Sequence, residues 1–460
     1  MRIRTYDFDY SRRVFMEKVA KGAGGGVLAS LGSTIAHSAD DISKAYPDEL
    51  MSIELYTKGK IKPGDTVSAA NVEVVKELLD PICYKQVKDM GRRIKIAKST
   101  TDATEMFNAT YLELSLKNKG RAKFDANGNL WTDGQDGNHW AGGLPFLDAK
   151  TAEEACSNIS TSWGRHDYSQ YPITTWSMSP NGSVGYKHNL IWFELQTTGR
   201  NDQQVYKGFR DKLRLNTALF TGPNDVKGSS FLSVWYYDQR RYPDLYGYFP
   251  AFKRVRQFPT NQRFEPVVPG MAFYLSDAWG AGDPMLTWGN FKVLERKPML
   301  GPIKGNWWAG QSENWEAPFH GGGQNHTFFD KTFELIPEAI VWDSDPTGYA
   351  RAPVGRRRTW SDARNGTMIT QVTYDRRGEL YKQIEFGTGQ MKNDKTQILD
   401  ANGKVDWSWH CAQFHDIQAN RMTLMRHMKN LDGYTSAFYD AKDDAYDKYL
   451  TTSAVARLGK

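Results

Sequence analysis

The chain has 460 residues, 40% hydrophobic and 24% charged, which excludes disorder as the main state and predicts one large or two moderate domains. No run of about 18 unbroken apolar residues occurs, so a helix-spanning membrane protein is excluded as well. The net charge is +6, half of it from six basic against three acidic side chains in residues 1–39, and no basic block remains to suit nucleic acid.

The first 39 residues read as an address. Ser11-Arg12-Arg13-Val14-Phe15-Met16-Glu17-Lys18 has the twin-arginine export pattern, with Arg12 and Arg13 as its signature. A weakly apolar, glycine-rich run follows, and Ala36-His37-Ser38-Ala39 supplies small residues for cleavage. The mature protein is therefore expected to start near Ala39 or Asp40, in a bacterial periplasm. Cys83, Cys156 and Cys411 are compatible with one disulfide and a free thiol, or with three buried thiols.

Residues 64–90 read as helix in two pieces. Val72, Val74-Val75 and Leu78-Leu79 recur at helical spacing in the first, and Asp80-Pro81 opens the second with an N-cap and a proline at the first helical position. Gly91 is the expected stop. Thr151-Ala152-Glu153-Glu154 has the capping-box form and predicts a helix running to about Trp163. From about Trp176 to Gln418 the chain reads as strands, including 190–195, 231–237, 271–275, 339–342 and 367–374. Three turns, Asp125–Gly128, Asp375–Gly378 and Asp400–Gly403, place Asp first and Gly fourth, which suits a type I turn closed by a left-handed glycine in a short hairpin. Hairpins imply antiparallel pairing, so the expected layout is α+β: one large antiparallel sheet with a few helices packed on it. The tail at 443–450 predicts a short helix.

Candidate chemistry is sparse. His410 and Cys411 are adjacent, and His410 and His415 lie five apart, so neither pair shares a face of a regular strand. Asp125–Asn129 resembles the start of a calcium loop, but its glycine is misplaced for one. His320-Gly321-Gly322-Gly323 resembles an oxyanion loop, yet no nucleophile elbow accompanies it. No catalytic residue, metal site or cofactor is assigned, and an enzyme is the less favoured class. Arg356–Arg358 and Lys253-Arg254-Val255-Arg256 are basic clusters; on a strand Arg254 and Arg256 share one face. Aromatic residues reach 13%, which fits either a plain core or the wall of an apolar cavity.

Several motifs, in order, carry a family resemblance. They are Gly142-Gly143-Leu144-Pro145-Phe146, Tyr248-Phe249-Pro250-Ala251-Phe252-Lys253-Arg254-Val255-Arg256, Ser276-Asp277-Ala278-Trp279, Trp288–Leu294, Tyr374–Tyr381 and Asp416–Arg421. Over roughly 140–460 the chain resembles the proteobacterial domain-of-unknown-function 1329 family, which is outer-membrane lipoprotein-sorting-like and similar in fold to LolA and LolB. The resemblance implies a strongly curved, open antiparallel sheet, an incomplete barrel wrapped around helices and enclosing an apolar cavity. It also implies a periplasmic carrier of a lipid or other hydrophobic molecule, working with an RND-type inner-membrane transporter and an outer-membrane partner. The expected organisation is an export signal at 1–39, a helical and irregular region at 40–140 that packs on the main sheet, and the β domain with its tail at 141–460. Trp192, Trp235, Tyr237, Phe273 and Trp342, each on a predicted strand, are the candidates for the apolar wall. Arg254 and Arg256 are the candidates for an anionic head group or a partner contact. A metal- or cofactor-bearing periplasmic enzyme, built from His410, Cys411, His415, His320 or His326, and a glycan- or polymer-binding module are the alternatives.

Overall fold

The structure is a computed structural model, and it describes residues 42–161, 166–179, 181–259, 263–280, 282–303, 313–314, 318–440 and 444–459. Arg12, Arg13 and the rest of the export pattern lie outside these residues.

Sixteen strands form one sheet. In chain order they are β1 (Thr66–Val67), β2 (Ile94–Ile96), β3 (Tyr168–Met178), β4 (Val184–Gln196), β5 (Lys212–Gly222), β6 (Ser230–Tyr236), β7 (Asp244–Phe249) and β8 (Arg254–Phe258). Then come β9 (Gly289–Gly301), β10 (Thr332–Asp345), β11 (Val354–Asp362), β12 (Met368–Asp375), β13 (Leu380–Gln390), β14 (Trp407–Asp416), β15 (Arg421–His427) and β16 (Ala437–Tyr439). Two meanders, β3 to β8 and β10 to β15, are sewn together where β15 pairs with β3. β9 flanks β10, and β16 adds to β3. The pairing is antiparallel throughout, except that β2 runs parallel to the start of β10 and so ties the N-terminal region into the sheet.

The sheet is curled. β6 and β11 are eight strand steps apart along it, which in a flat sheet is about 38 Å. Yet Trp235 of β6 and Arg357 of β11 are linked by only two side chains. The Arg263 guanidinium lies 5.3 Å from the Trp235 ring and is hydrogen-bonded to Asp283, whose other oxygen is 3.5 Å from Arg357. Arg263 and Asp283 belong to the connection from β8 to β9, which passes across the concave face.

The two faces are covered differently. Helix α1 (Pro81–Asp89) lies on the convex side, where Ile82 packs with Val341, Trp360, Ile369 and Val372. Helix α2 (Ala152–Ser160) lies on the concave side, and Ala155, Cys156 and Ile159 join the core formed with Ile340, Trp342 and Phe386. A short C-terminal helix, α3 (Thr452–Leu458), buries Val455 against Leu232 and Tyr248.

Local chemistry sets these elements. Asp80 Oδ1 accepts hydrogen bonds from the N–H groups of Ile82 and Cys83, with Pro81 at the first position of α1, and Gly91 beyond its end has φ +74°. Thr151 and Glu154 form the reciprocal capping box of α2. In all three Asp-x-x-Gly turns the glycine has positive φ and its N–H donates to the Asp carbonyl at 3.0 Å.

Three expectations are corrected. The stretch around Val72–Leu78 forms two 3₁₀ turns and no α-helix; its β-branched valines stiffen χ1 and disfavour longer helix. Residues 271–275 form no strand. They follow Gly270, at φ +86°, into the crossing connection, where the Ala272 N–H donates to Thr423 Oγ1 and that of Tyr274 to Asp277 Oδ2. All three cysteines are buried and free, so the disulfide alternative falls.

Candidate functional site

Cross-strand register fixes which residues face inward, since directly opposed residues share a face. Phe386 of β13 opposes Ala412 of β14, which opposes Met425 of β15. On the other side of the seam Tyr171 of β3 opposes Trp192 of β4, which opposes Ala218 of β5. These rows form the floor of an apolar cleft, and the crossing connection forms its roof with Val267, Met271, Phe273 and Ala278.

The cleft has two lobes that share Leu190, Trp192, Phe273 and Met425. The first spans about 520 Å³ of atom-free space, mouth included, between Tyr171, Ile173, Phe386, Trp409 and Phe414. The second spans about 430 Å³ and reaches Ala218, Phe220 and Phe231. Polar groups are few and sit at the margins: Asp277 in the first lobe, Asn216 and Ser233 in the second. Apolar walls with a few placed polar groups are attributes of small-molecule pockets.

The roof is held by buried charges. Lys382 of β13 pairs with Asp277 and donates to the carbonyl of Ala272 at 2.7 Å. Arg357 donates to the Ser276 carbonyl at 2.5 Å, and its guanidinium lies 3.8 Å from the Trp288 ring centre. Burial lowers the Lys382 ammonium from its ordinary value, with Asp277 pulling against it. At the polar end of β4, Trp192 Nε1 donates to Glu194 Oε2 at 3.1 Å, and Glu194 lies 4.0 Å from buried Arg214. Burial brings Arg214 down to about 10, against the opposing pull of Glu194.

Of the predicted wall residues, Trp192 and Phe273 line both lobes. Trp235, Tyr237 and Trp342 lie in the surrounding core and line neither lobe, and their polar atoms are tied into the frame. Trp235 Nε1 donates to Asn216 Oδ1 at 3.2 Å, Trp342 Nε1 donates to Ser361 Oγ at 3.1 Å, and the Tyr237 hydroxyl donates to the Leu130 carbonyl at 2.6 Å. Phe273 also departs from expectation in lying on the roof and not on a strand. Arg254 and Arg256 are exposed on β8, at the sheet edge. They share the face of Phe231 and Phe249, since Arg254 opposes Phe249, Arg256 opposes Gly247, and Gly247 opposes Phe231.

Sequence reasoning missed the inward role of Arg357 and Lys382, whose residue types suggest a solvated face. Only Arg356 and Arg358 of the basic triplet point the other way, to Asp343. The strand alternation of that triplet was the available signal.

His410, Cys411, His415, His320 and His326 line neither lobe. His415 Nδ1 is 2.9 Å from the side-chain amide of Gln86, and His320 Nε2 accepts from the Arg93 N–H at 2.9 Å. Among the described residues, Asp80, Cys83 and Glu385 bring potential ligand atoms within 4.8 Å of one another. However, Asp80 caps α1 and Glu385 is paired at 2.6 Å with both Arg92 and Lys331. Burial raises the Glu385 carboxyl, but those two cations outweigh it and bring it to about 2. The cluster is a charge-compensated part of the core.

An open, curled antiparallel sheet around an apolar cleft defines the class of architecture. The model of one family, a protein of unknown function (DUF1329), matches residues 66–456, and the chain belongs to that family. Among solved structures, it is similar to a domain named for outer membrane lipoprotein sorting from Vibrio parahaemolyticus, with 15% identity, TM-score 0.43, and 66% of this chain and 97% of that one covered. A DUF1329 family protein from Desulfovibrio piger matches at 12% identity and TM-score 0.42, covering 65% and 94%. A LolA superfamily protein from Nitrosomonas europaea matches at 11% identity and TM-score 0.36, covering 66% and 98%. No curated protein matches the chain.

Proposed function

We propose that this protein is a periplasmic carrier or binding protein for a lipid or other hydrophobic molecule. The observation that carries the reading is the two-lobed cleft, walled on both sides by apolar side chains and continuous through Trp192 and Phe273. Each methylene buried there contributes about 0.8 kcal/mol, so an acyl chain is held without covalent chemistry. Arg254 and Arg256, on the same face at the sheet edge, are the groups for an anionic head group. The twin-arginine pattern at Arg12-Arg13 supports export to the periplasm. In this reading the carrier works between an RND-type inner-membrane transporter and an outer-membrane protein, as the family resemblance implies.

The test is native mass spectrometry of protein purified from the periplasm, joined to titration with a fluorescent fatty acid. A co-purifying apolar molecule and saturable uptake are expected. Ala218→Phe fills the second lobe and is expected to weaken uptake at least tenfold while the circular dichroism spectrum is retained. A folded wild-type protein that takes up no apolar molecule overturns the reading.

A further inference from the structure

The hairpin of β7 and β8 carries an unusual tip. Phe252, in the turn, is 56% exposed, more than any other large hydrophobic side chain among the described residues. Lys253, Arg254 and Arg256 surround it, all exposed, and the Arg256 guanidinium lies 4.8 Å from the Phe252 ring centre. None of these three cations forms an ion pair among the described residues. Charges on an edge strand guard against edge-to-edge association, but that role calls for no exposed phenylalanine beside them.

The tip is joined to the cleft by aromatic contacts. Phe252 is 6.1 Å from Phe249 between ring centres, Phe249 is 5.4 Å from Phe231, and Phe231 is 6.2 Å from Phe220. Phe231 and Phe220 line the second lobe. Phe258 flanks the same path, 6.0 Å from Phe249. Gly247 lets the rings close over the sheet: a Cβ there would meet Phe258 at 2.5 Å and Phe231 at 3.3 Å.

We propose that this hairpin docks the protein on an anionic phospholipid bilayer, with Phe252 inserted at the headgroup boundary, Lys253, Arg254 and Arg256 against lipid phosphates, and the phenylalanine path conducting the ligand between bilayer and cleft. The docking rests on charge complementarity and on an apolar tip ringed by cations, the arrangement that binds membrane surfaces. The conducting role rests on the carrier reading.

The experiment uses the mature chain and its Phe252→Ser and Arg254→Gln/Arg256→Gln variants. Flotation is measured with vesicles of phosphatidylglycerol and phosphatidylethanolamine, and with vesicles of phosphatidylcholine. The wild type is expected to float with the anionic vesicles only. Phe252→Ser should lower partitioning about tenfold. Removing both arginines should lower it about fivefold for each charge, with a weaker salt dependence carried by the remaining Lys253. Transfer of a fluorescent fatty acid from anionic vesicles should slow in Phe252→Ser, while its affinity for the same fatty acid delivered from solution stays unchanged. Because Phe252 is exposed, its variant keeps the fold, checked by thermal unfolding. Wild-type protein that does not float, or Phe252→Ser that floats and transfers like wild type, overturns the proposal; the former assigns the tip to a protein partner. Absence of fatty-acid uptake from solution overturns the carrier reading and its conducting path, while flotation still decides the docking.

Discussion

A buried histidine fastens the join between the two meanders. His166, just before β3, has Nε2 at 2.7 Å from Asp406, ahead of β14, and Nδ1 at 3.5 Å from Asp440, just past β16. Burial opposes its charge, but the hydrogen bonds to Asp406 and Asp440 prevail and raise it to about 10. A histidine raised in the folded state stabilises fully below its unfolded value of about 6.5, and that stability is lost as pH rises through about 10. The urea midpoint of the wild type should therefore exceed that of His166→Gln most at neutral and lower pH. The gap, on the order of a few kcal/mol, should narrow steadily from pH 6.5 to 10. A gap independent of pH across that window would refute the charged assignment.

At the scale of elements, punctuation was the most legible part of the sequence. Thr151 and Glu154 announce α2 because a hydroxyl and a carboxylate three residues apart can satisfy orphan N–H groups only at a helix start. The Asp-x-x-Gly turns were legible for the same kind of reason: the Asp125, Asp375 and Asp400 carboxylates each accept from the N–H two residues on, and glycine takes the left-handed position. Thr151→Ala should cost about 1 kcal/mol in chemical denaturation, and Thr151→Ser should restore most of it. The segment 271–275 was illegible because its residue types suit a strand. Its amides instead find partners in Thr423 and Asp277, which are distant or unremarkable in the sequence. Trp192, Trp235 and Trp342 are alike in the sequence, each an indole on a predicted strand, and differ only in what covers them: Trp192 faces the cleft and the other two lie in the core.

At the scale of the whole molecule, the curl of the sheet decides what becomes a cleft. No local pattern in β6 or β11 encodes that Trp235 and Arg357 will be bridged by one arginine–carboxylate pair. The β8–β9 connection accomplishes this, with Asp283 held by Arg263, Arg357 and, at 2.9 Å, the indole N–H of Trp288. Asp283→Ala leaves two buried guanidinium groups without that partner and should cost about 3–5 kcal/mol. It should also loosen the roof, read as increased binding of an apolar dye by protein that is still folded. Unchanged dye binding at reduced stability would confine Asp283 to a framework role.

The join between the meanders also orders the assembly of the molecule in time. Ile173 pairs with His427, roughly 250 positions later, so the contact that unites the halves closes a long loop. The β3–β8 half leaves the ribosome well before its partner strand exists, with the inner edge of β3 unprotected until β15 arrives. Synthesis must therefore run nearly to completion before any export route that accepts only folded cargo could engage the protein. Folding is expected to be slow, and a chain cut short before β15 should aggregate through the bare edge of β3 instead of settling into a half-molecule.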